Sequence, residues 1–232
     1  MTTVLEARAL GRTYQGGDGS RIEVLAGLDL AVEAGEFLAV VGASGAGKST
    51  LLQLLGALDR PSSGSVWLEG RDLANLNQEA TAAVRNRRIG FVFQFHHLLR
   101  DFTAVENVMM PLLIAGMAET DAAARAREVL GRLGLADRLS HYPGQLSGGE
   151  QQRAAVARAV APHPAVVLAD EPSGNLDPTN AAVLHDVLAE LRHQFGTALV
   201  VATHNADLAA RADRVLRLAQ GRLVPETLEG AA

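Results

Sequence analysis

Three stretches of this chain are apolar without interruption: Phe37 to Val41, Ala165 to Ala169 and Ala198 to Ala202. A strand with one wet face alternates apolar and polar residues. Continuous runs of about five instead mark strands buried on both faces, as in a parallel sheet covered by helices. Behind the first run the spacing changes. Leu51, Leu52, Leu54, Leu55 and Leu58 recur at helical intervals and predict one apolar helix face. Between the second and third runs, Asp177 can cap a helix that starts at Pro178 and stops at Gly196. Strand and helix in alternation imply an α/β fold with a mainly parallel sheet.

Other segments differ. Near the N-terminus, short alternating stretches broken by Gly16-Gly17-Asp18-Gly19 predict an antiparallel ribbon. From about Leu98 to Ala159 the pattern is mainly helical. Thr120 or Asp121 is the expected cap of a helix over Ala122 to Leu133. Thr227 to Ala232 is expected to fray. Internal repeats, low-complexity tracts and linkers are absent from the sequence, and 232 residues suffice for one domain carrying an inserted subdomain.

Composition narrows the class. The net charge of −5 argues against a broad nucleic-acid-binding surface. The longest apolar stretch, around Met109 to Met117, is interrupted by Pro111 and Gly116, well short of the roughly 20 residues that cross a bilayer. Residues Met1 to Glu6 lack a signal-peptide pattern, and the absence of cysteine fits a reducing compartment. The expectation is a soluble cytoplasmic protein that reaches a membrane only through a partner.

The chemistry concentrates in three places. Gly42-Ala43-Ser44-Gly45-Ala46-Gly47-Lys48-Ser49 comes after a buried strand and opens a helix, the context of a phosphate-binding loop. Its glycines let main-chain N–H groups converge on phosphate, and the helix that continues through Thr50 adds its positive end. Lys48 would hold the β- and γ-phosphates of ATP, and Ser49 would ligate Mg²⁺. Asp170 ends a second buried strand, where ligand groups collect in open α/β sheets, and would position the metal. Glu171 beside it would polarise the attacking water as general base. The third stretch is Leu146-Ser147-Gly148-Gly149-Glu150, ahead of an alanine-rich helix running through Arg158. Alone, Ser-Gly-Gly is only a flexible helix start.

In this order the three stretches resemble the nucleotide-binding subunit of ATP-binding-cassette (ABC) proteins. The resemblance implies a P-loop (RecA-like) core with an N-terminal antiparallel β subdomain and an inserted helical subdomain. The catalytic core would cover about 1–94 and 160–225, and the helical subdomain about 95–159. It further implies that Ser147, Gly148 and Gly149 face the γ-phosphate bound by a second copy, so that ATP joins two copies head to tail. By the same resemblance Gln94 contacts Mg²⁺ or water, His204 is the switch histidine at the γ-phosphate, Tyr14 stacks on adenine, and Asp177 lies in the loop that crosses the dimer interface. His96, His97, His141, His163, His185 and His193 lack the facing spacing of a metal site and read as non-ligands.

One region discriminates among family members. Phe91-Val92-Phe93-Gln94-Phe95-His96-His97-Leu98-Leu99, then Asp101-Phe102-Thr103-Ala104-Val105-Glu106-Asn107-Val108, is similar to the ATPase subunit of the bacterial lipoprotein-releasing (Lol) transporter. The wider group includes macrolide-type efflux ATPases and a cell-division-type ATPase that transmits force without transport. Arg100 stands where the Lol type usually has proline, and Ser173 where threonine is commoner. The resemblance implies a peripheral protein on the cytoplasmic side of the bacterial inner membrane. Integral membrane subunits would dock near Phe95 to Val108, for which Phe95, Leu98, Leu99, Phe102 and Val105 offer apolar contacts. DNA-repair and chromosome-structure relatives carry coiled-coil or zinc insertions, and this chain has neither.

Overall fold

A computed structural model of the chain describes residues 2–17 and 19–226. The expected fraying of Thr227 to Ala232 lies outside these residues, as does Asp18 of the glycine-rich break. Two strands, β1 (Thr3–Gln15) and β2 (Arg21–Glu33), form the predicted antiparallel ribbon. The first apolar run is β3 (Phe37–Val41), which leads into α1 (Lys48–Leu55). Then come β4 (Ser63–Leu68), the two-residue β5 (Arg71–Asp72), α2 (Gln78–Arg88) and β6 (Ile89–Val92). Three helices come next: α3 (Ala104–Ile114), α4 (Glu119–Arg132) and α5 (Gly148–Val160). The chain closes with β7 (Val166–Asp170), α6 (Pro178–Phe195), β8 (Ala198–Ala202), the short α7 (Ala206–Ala209), β9 (Arg214–Ala219) and β10 (Arg222–Pro225).

The strands form two sheets. One is antiparallel, in the order β2-β1-β4-β5. The other runs β10-β9-β3-β8-β7-β6 and is parallel except for the β9–β10 hairpin. The central strands are apolar throughout because each faces two cores. Phe37, Val167, Ala169, Leu199 and Val201 join the core formed with α3–α6. Leu38, Val40, Val166, Leu168 and Val200 join the core formed with α1 and the antiparallel sheet. The period of two thus survives inside runs that show no polar alternation.

Two boundaries depart from expectation. Helix α1 stops at Gly56, whose Cα lies so close to Phe91 that an added Cβ would sit 1.9 Å from the ring. Ala57 then adopts a left-handed φ of 52°, the amides of Leu58 and Asp59 turn back to the Gln53 carbonyl, and Leu58 is exposed rather than on the apolar face. Helix α4 begins three residues early, after Ala118, which contributes no side-chain cap. Thr120 and Asp121 fall inside its first turn, where Glu119 and Asp121 complement the positive helix end. The caps of α6 match the prediction: the Asp177 side chain accepts from Asn180 N, and Gly196 closes the helix at a φ of 65°.

The segment from Leu99 to Thr103 has little regular structure, and Asn107 organises it. Asn107 is fully buried; its Oδ1 accepts from Leu99 N at 2.8 Å, and its Nδ2 donates to the carbonyls of Leu99, Phe102 and Thr103 at 2.9–3.1 Å. Removing the amide strands several buried backbone groups at once. Asn107→Ala is therefore expected to lower unfolding free energy by about 2–3 kcal/mol in urea titration. A loss under about 1 kcal/mol would show that solvent replaces these bonds.

Candidate nucleotide-binding site

Parallel pairing places the C-terminal ends of β3, β8 and β7 side by side. Val40 lies opposite Ala202, and Ala202 opposite Asp170. Three segments are thereby brought to one edge: the glycine loop after β3, Glu171 after β7, and Thr203-His204 after β8.

The loop wraps closely around its own start. A side chain at Gly42 would bring a Cβ to 2.7 Å from the Leu218 carbonyl oxygen, and Gly47 combines a left-handed φ of 101° with a Cβ position 2.7 Å from Val24. Glycine is the residue that meets both demands. Ala43, Ser44 and Gly45 form an exposed arc between them, closed by the half-buried Ala46. The first intrahelical bond of α1 runs from Leu51 N to Gly47 O, so the amides of Lys48, Ser49 and Thr50 precede it at the positive helix end. The Lys48 ammonium folds back over the loop, donating to Gly42 O at 2.8 Å and Ala43 O at 3.3 Å, and stands 3.7 Å from Glu171 Oε1.

The carboxylates are arranged differently. Asp170 Oδ1 is buried without a hydrogen-bond partner. Burial raises its pKa above the ordinary value and the nearby Glu171 adds to this, while Ser49 and Lys48 oppose it. Glu171 is well partnered: Thr203 Oγ1 and His204 N donate to Oε2 at 3.2 Å, and His204 Nδ1 lies 2.9 Å from Oε1. An uncompensated buried carboxylate oxygen beside a serine hydroxyl suits a hard divalent cation, whose charge would offset the desolvation.

Lys48, Ser49, Asp170, Glu171 and His204 thus converge. Gln94, two residues beyond β6, is held in a reciprocal amide pair: its Nε2 donates to Asn175 Oδ1 at 3.1 Å, and Asn175 Nδ2 donates to Gln94 O at 3.2 Å. Tyr14, half-buried, pairs with Ile22 in the ribbon whose Val24 packs on Gly47. Arg12 lies 4.5 Å over the Tyr14 ring, and the phenol donates to Asp59 at 3.3 Å. Ser147 caps α5 in a box with Glu150, and Arg138 grips the same carboxylate at 2.8 Å; together they lower the Glu150 pKa to about 2. Gly148 and Gly149 pack against Leu176 and Asn180 at the start of α6, so within one copy this stretch is tied to α6.

Three contacts were missed by sequence reasoning. Thr203 gives its hydroxyl to Glu171, Asn175 clasps Gln94, and the buried Gln152 donates to Phe93 O at 2.7 Å. Thr203 adjoins His204, and Asn175 lies two residues from Asp177, which was the available signal. Gln152 gives none, because an interior helical glutamine has no local signature.

Because burial raises the folded-state pKa of Asp170, its ionisation costs the fold stability as pH climbs above the unfolded value. That cost is complete above the raised pKa and is therefore present at neutral pH. Asp170→Asn should raise the melting temperature of nucleotide-free protein at pH 7, with a smaller gain near pH 4. It should also lose the stabilisation given by Mg·ATP. A lower melting temperature at pH 7 would mean that the carboxylate supports the fold.

The family model described as "ABC transporter" matches residues 25–174. The chain is 54% identical to the lipoprotein-releasing system ATP-binding protein LolD of Geobacter metallireducens, covering 97% of this chain and all of the relative. It is 53% identical to the LolD protein of Bordetella pertussis, over 96% of each. Among solved structures, an ATP-binding cassette described as dimeric, post-hydrolysis and bound to ADP and Pi superposes with a TM-score of 0.87 at 35% identity, covering 97% of this chain and 99% of that one. A structure described as a dimeric bacterial ABC transporter cassette matches with the same TM-score at 36% identity. The glycine loop, the converging strand ends and the capped Ser-Gly-Gly helix thus sit in a fold and a sequence shared along nearly the whole chain, and this chain belongs to the ABC transporter family.

Proposed function

We propose that this chain is the ATP-hydrolysing motor subunit of a bacterial inner-membrane transporter that releases lipoproteins toward the outer membrane. The observation that carries the ATPase reading is the convergence of Lys48, Asp170, Glu171 and His204 beside the glycine loop. The lipoprotein part rests on the relatives named for that system, one of them 54% identical over 97% of this chain.

In this reading the loop amides and Lys48 hold the ATP phosphates, with Tyr14 stacking on adenine. Ser49, Asp170 and Gln94 would hold Mg²⁺, which when bound would offset phosphate charge. Glu171 takes the proton of the attacking water. His204 and Thr203 orient its carboxylate, and His204 also reaches the γ-phosphate. Ser147, Gly148 and Gly149 present the positive end of α5 to the γ-phosphate of a second copy, and Asp177 crosses between the copies. Preorganised charge performs the catalysis, the cationic groups being aimed where charge develops.

Residues 95–159 serve as the helical subdomain that receives the membrane subunits. Of the five apolar residues expected at the docking segment, Phe95 is 64% exposed, and Leu99 and Phe102 are also exposed. Leu98 is buried in the core, and Val105 packs against it. A groove of about 300 Å³ beside Leu99 is lined by Phe91, Phe93, Met110 and Ile114, and we assign it to a short cytoplasmic helix of the membrane subunit. The Glu106 carboxylate accepts from Thr103 N and Oγ1 in the capping box of α3, which fixes the start of that helix. No described helix is long and apolar enough to cross a membrane; in this reading the membrane subunits hold the chain at the cytoplasmic face.

Glu171→Gln should still bind ATP and elute as an ATP-dependent dimer, with turnover reduced about a hundredfold or more. Turnover near that of the parent would remove Glu171 from its role. Phe95→Ala and Leu99→Ala should each reduce co-purification of membrane subunits from detergent extracts while ATP binding persists. Equal recovery of those subunits would move the docking site elsewhere.

A further inference from the structure

Helix α6 buries Ala181, Leu184, Leu188 and Leu191 at helical spacing, and His185 is the one polar residue in that stripe. An imidazole in such a place costs free energy unless its nitrogens find partners. His185 Nε2 lies 2.9 Å from Ser173 Oγ, and the two residues are only 3% and 8% exposed. Burial lowers the His185 pKa, Arg211 adds to this, and Asp207 and Asp186 oppose it. The ring is therefore neutral at neutral pH. A hydroxyl can donate to or accept from neutral imidazole, so the bond forms with either tautomer.

Ser173 stands two residues beyond Glu171, in a turn that needs support. Glu171 has a left-handed φ of 44°, which strains a side-chain-bearing residue and persists only where the surroundings enforce it. Glu171 N donates to Ala202 O at 2.8 Å, and Gly174 N returns to Glu171 O at 3.0 Å. On its other side the turn borders a cavity of about 670 Å³ bounded by Leu176, His185, His204, Asp207 and Arg211. The turn therefore has open space beside it, and the Ser173–His185 bond ties it to α6 at the wall of that space.

We propose that His185 is a positioning residue for ATP hydrolysis: through Ser173 it holds the turn at 171–174, and with it the Glu171 carboxylate, against displacement into the adjoining cavity. This rests on the assignment of Glu171 as general base. His185 bonds Ser173, whereas Lys48 bonds the carbonyls of Gly42 and Ala43, so the effect falls on turnover more than on nucleotide affinity.

Three substitutions separate positioning from packing. His185→Phe keeps ring bulk but leaves the Ser173 hydroxyl unpaired, Ser173→Ala removes the other partner, and His185→Gln sets an amide near the Nε2 position. Steady-state ATPase activity, ATP affinity and melting temperature are measured for each on the full chain, beside Glu171→Gln. His185→Phe and Ser173→Ala should each lower kcat roughly tenfold, with ATP affinity changed less than about twofold. Their combination should lose no more than either alone, and His185→Gln should recover most of the rate. A folded His185→Phe with parental kcat, while Glu171→Gln is inactive, overturns the inference and leaves the base intact. A loss that His185→Gln does not restore and that tracks the melting temperature also overturns it, making the bond a packing feature. Parental turnover in Glu171→Gln instead removes the base and the inference with it.

Discussion

The parallel register that sets Val40, Ala202 and Asp170 side by side is the constraint on which this site depends. A slip of one residue would turn every central side chain to the opposite core. It would also stagger the glycine loop, Glu171 and His204 along the strand direction, beyond mutual reach. Burial on both faces prevents this, because Leu38 and Val40 have one core to fill and Phe37 another. Packing far from the chemistry thereby sets distances such as the 2.9 Å between His204 and Glu171.

At the strand ends the same burial has an electrostatic consequence. Lys48 is nearly buried and spends its charge on loop carbonyls, while Asp170 keeps a buried oxygen without a partner. Neither arrangement is what a chain selected only for stability would adopt. Both make sense where a polyanion and a cation share the site, since their charges offset a desolvation that the fold otherwise bears alone. The strained backbone of Glu171 belongs to the same pattern, held by bonds from β8 and α6 rather than by its own preference.

The helical segment is joined to this edge through side chains reaching backbone. Gln152 donates to Phe93 O, and Arg158 donates to the carbonyls of His97 and His96 at 2.8 and 2.9 Å, so α5 carries both the Ser147 cap and the anchors of the segment around Gln94. Burial lowers the Arg158 pKa, yet the guanidinium keeps its charge and uses it on those carbonyls. A displacement of the segment around His96 and His97 would thus reach α5 through these bonds.

Features set by local chemistry were legible in the sequence alone. Continuous apolar runs announced β3, β7 and β8; Asp177, Pro178 and Gly196 announced both ends of α6; and the glycine spacing announced the phosphate loop. Each depends on residues adjacent in sequence, where backbone preference and side-chain capping act directly. Other features depended on partners distant in the chain. Helix α1 ended at Gly56, against Phe91, and left Leu58 exposed, and the sorting of Leu98 inward and Phe95 outward came from a core assembled by three helices. The pairing of His185 with Ser173 and the orphaned oxygen of Asp170 likewise exist only once the strands and α6 are packed. Hydrogen bonding and desolvation depend on three-dimensional proximity, so the sequence determined which groups the site contains, and the tertiary structure decided how they are partnered.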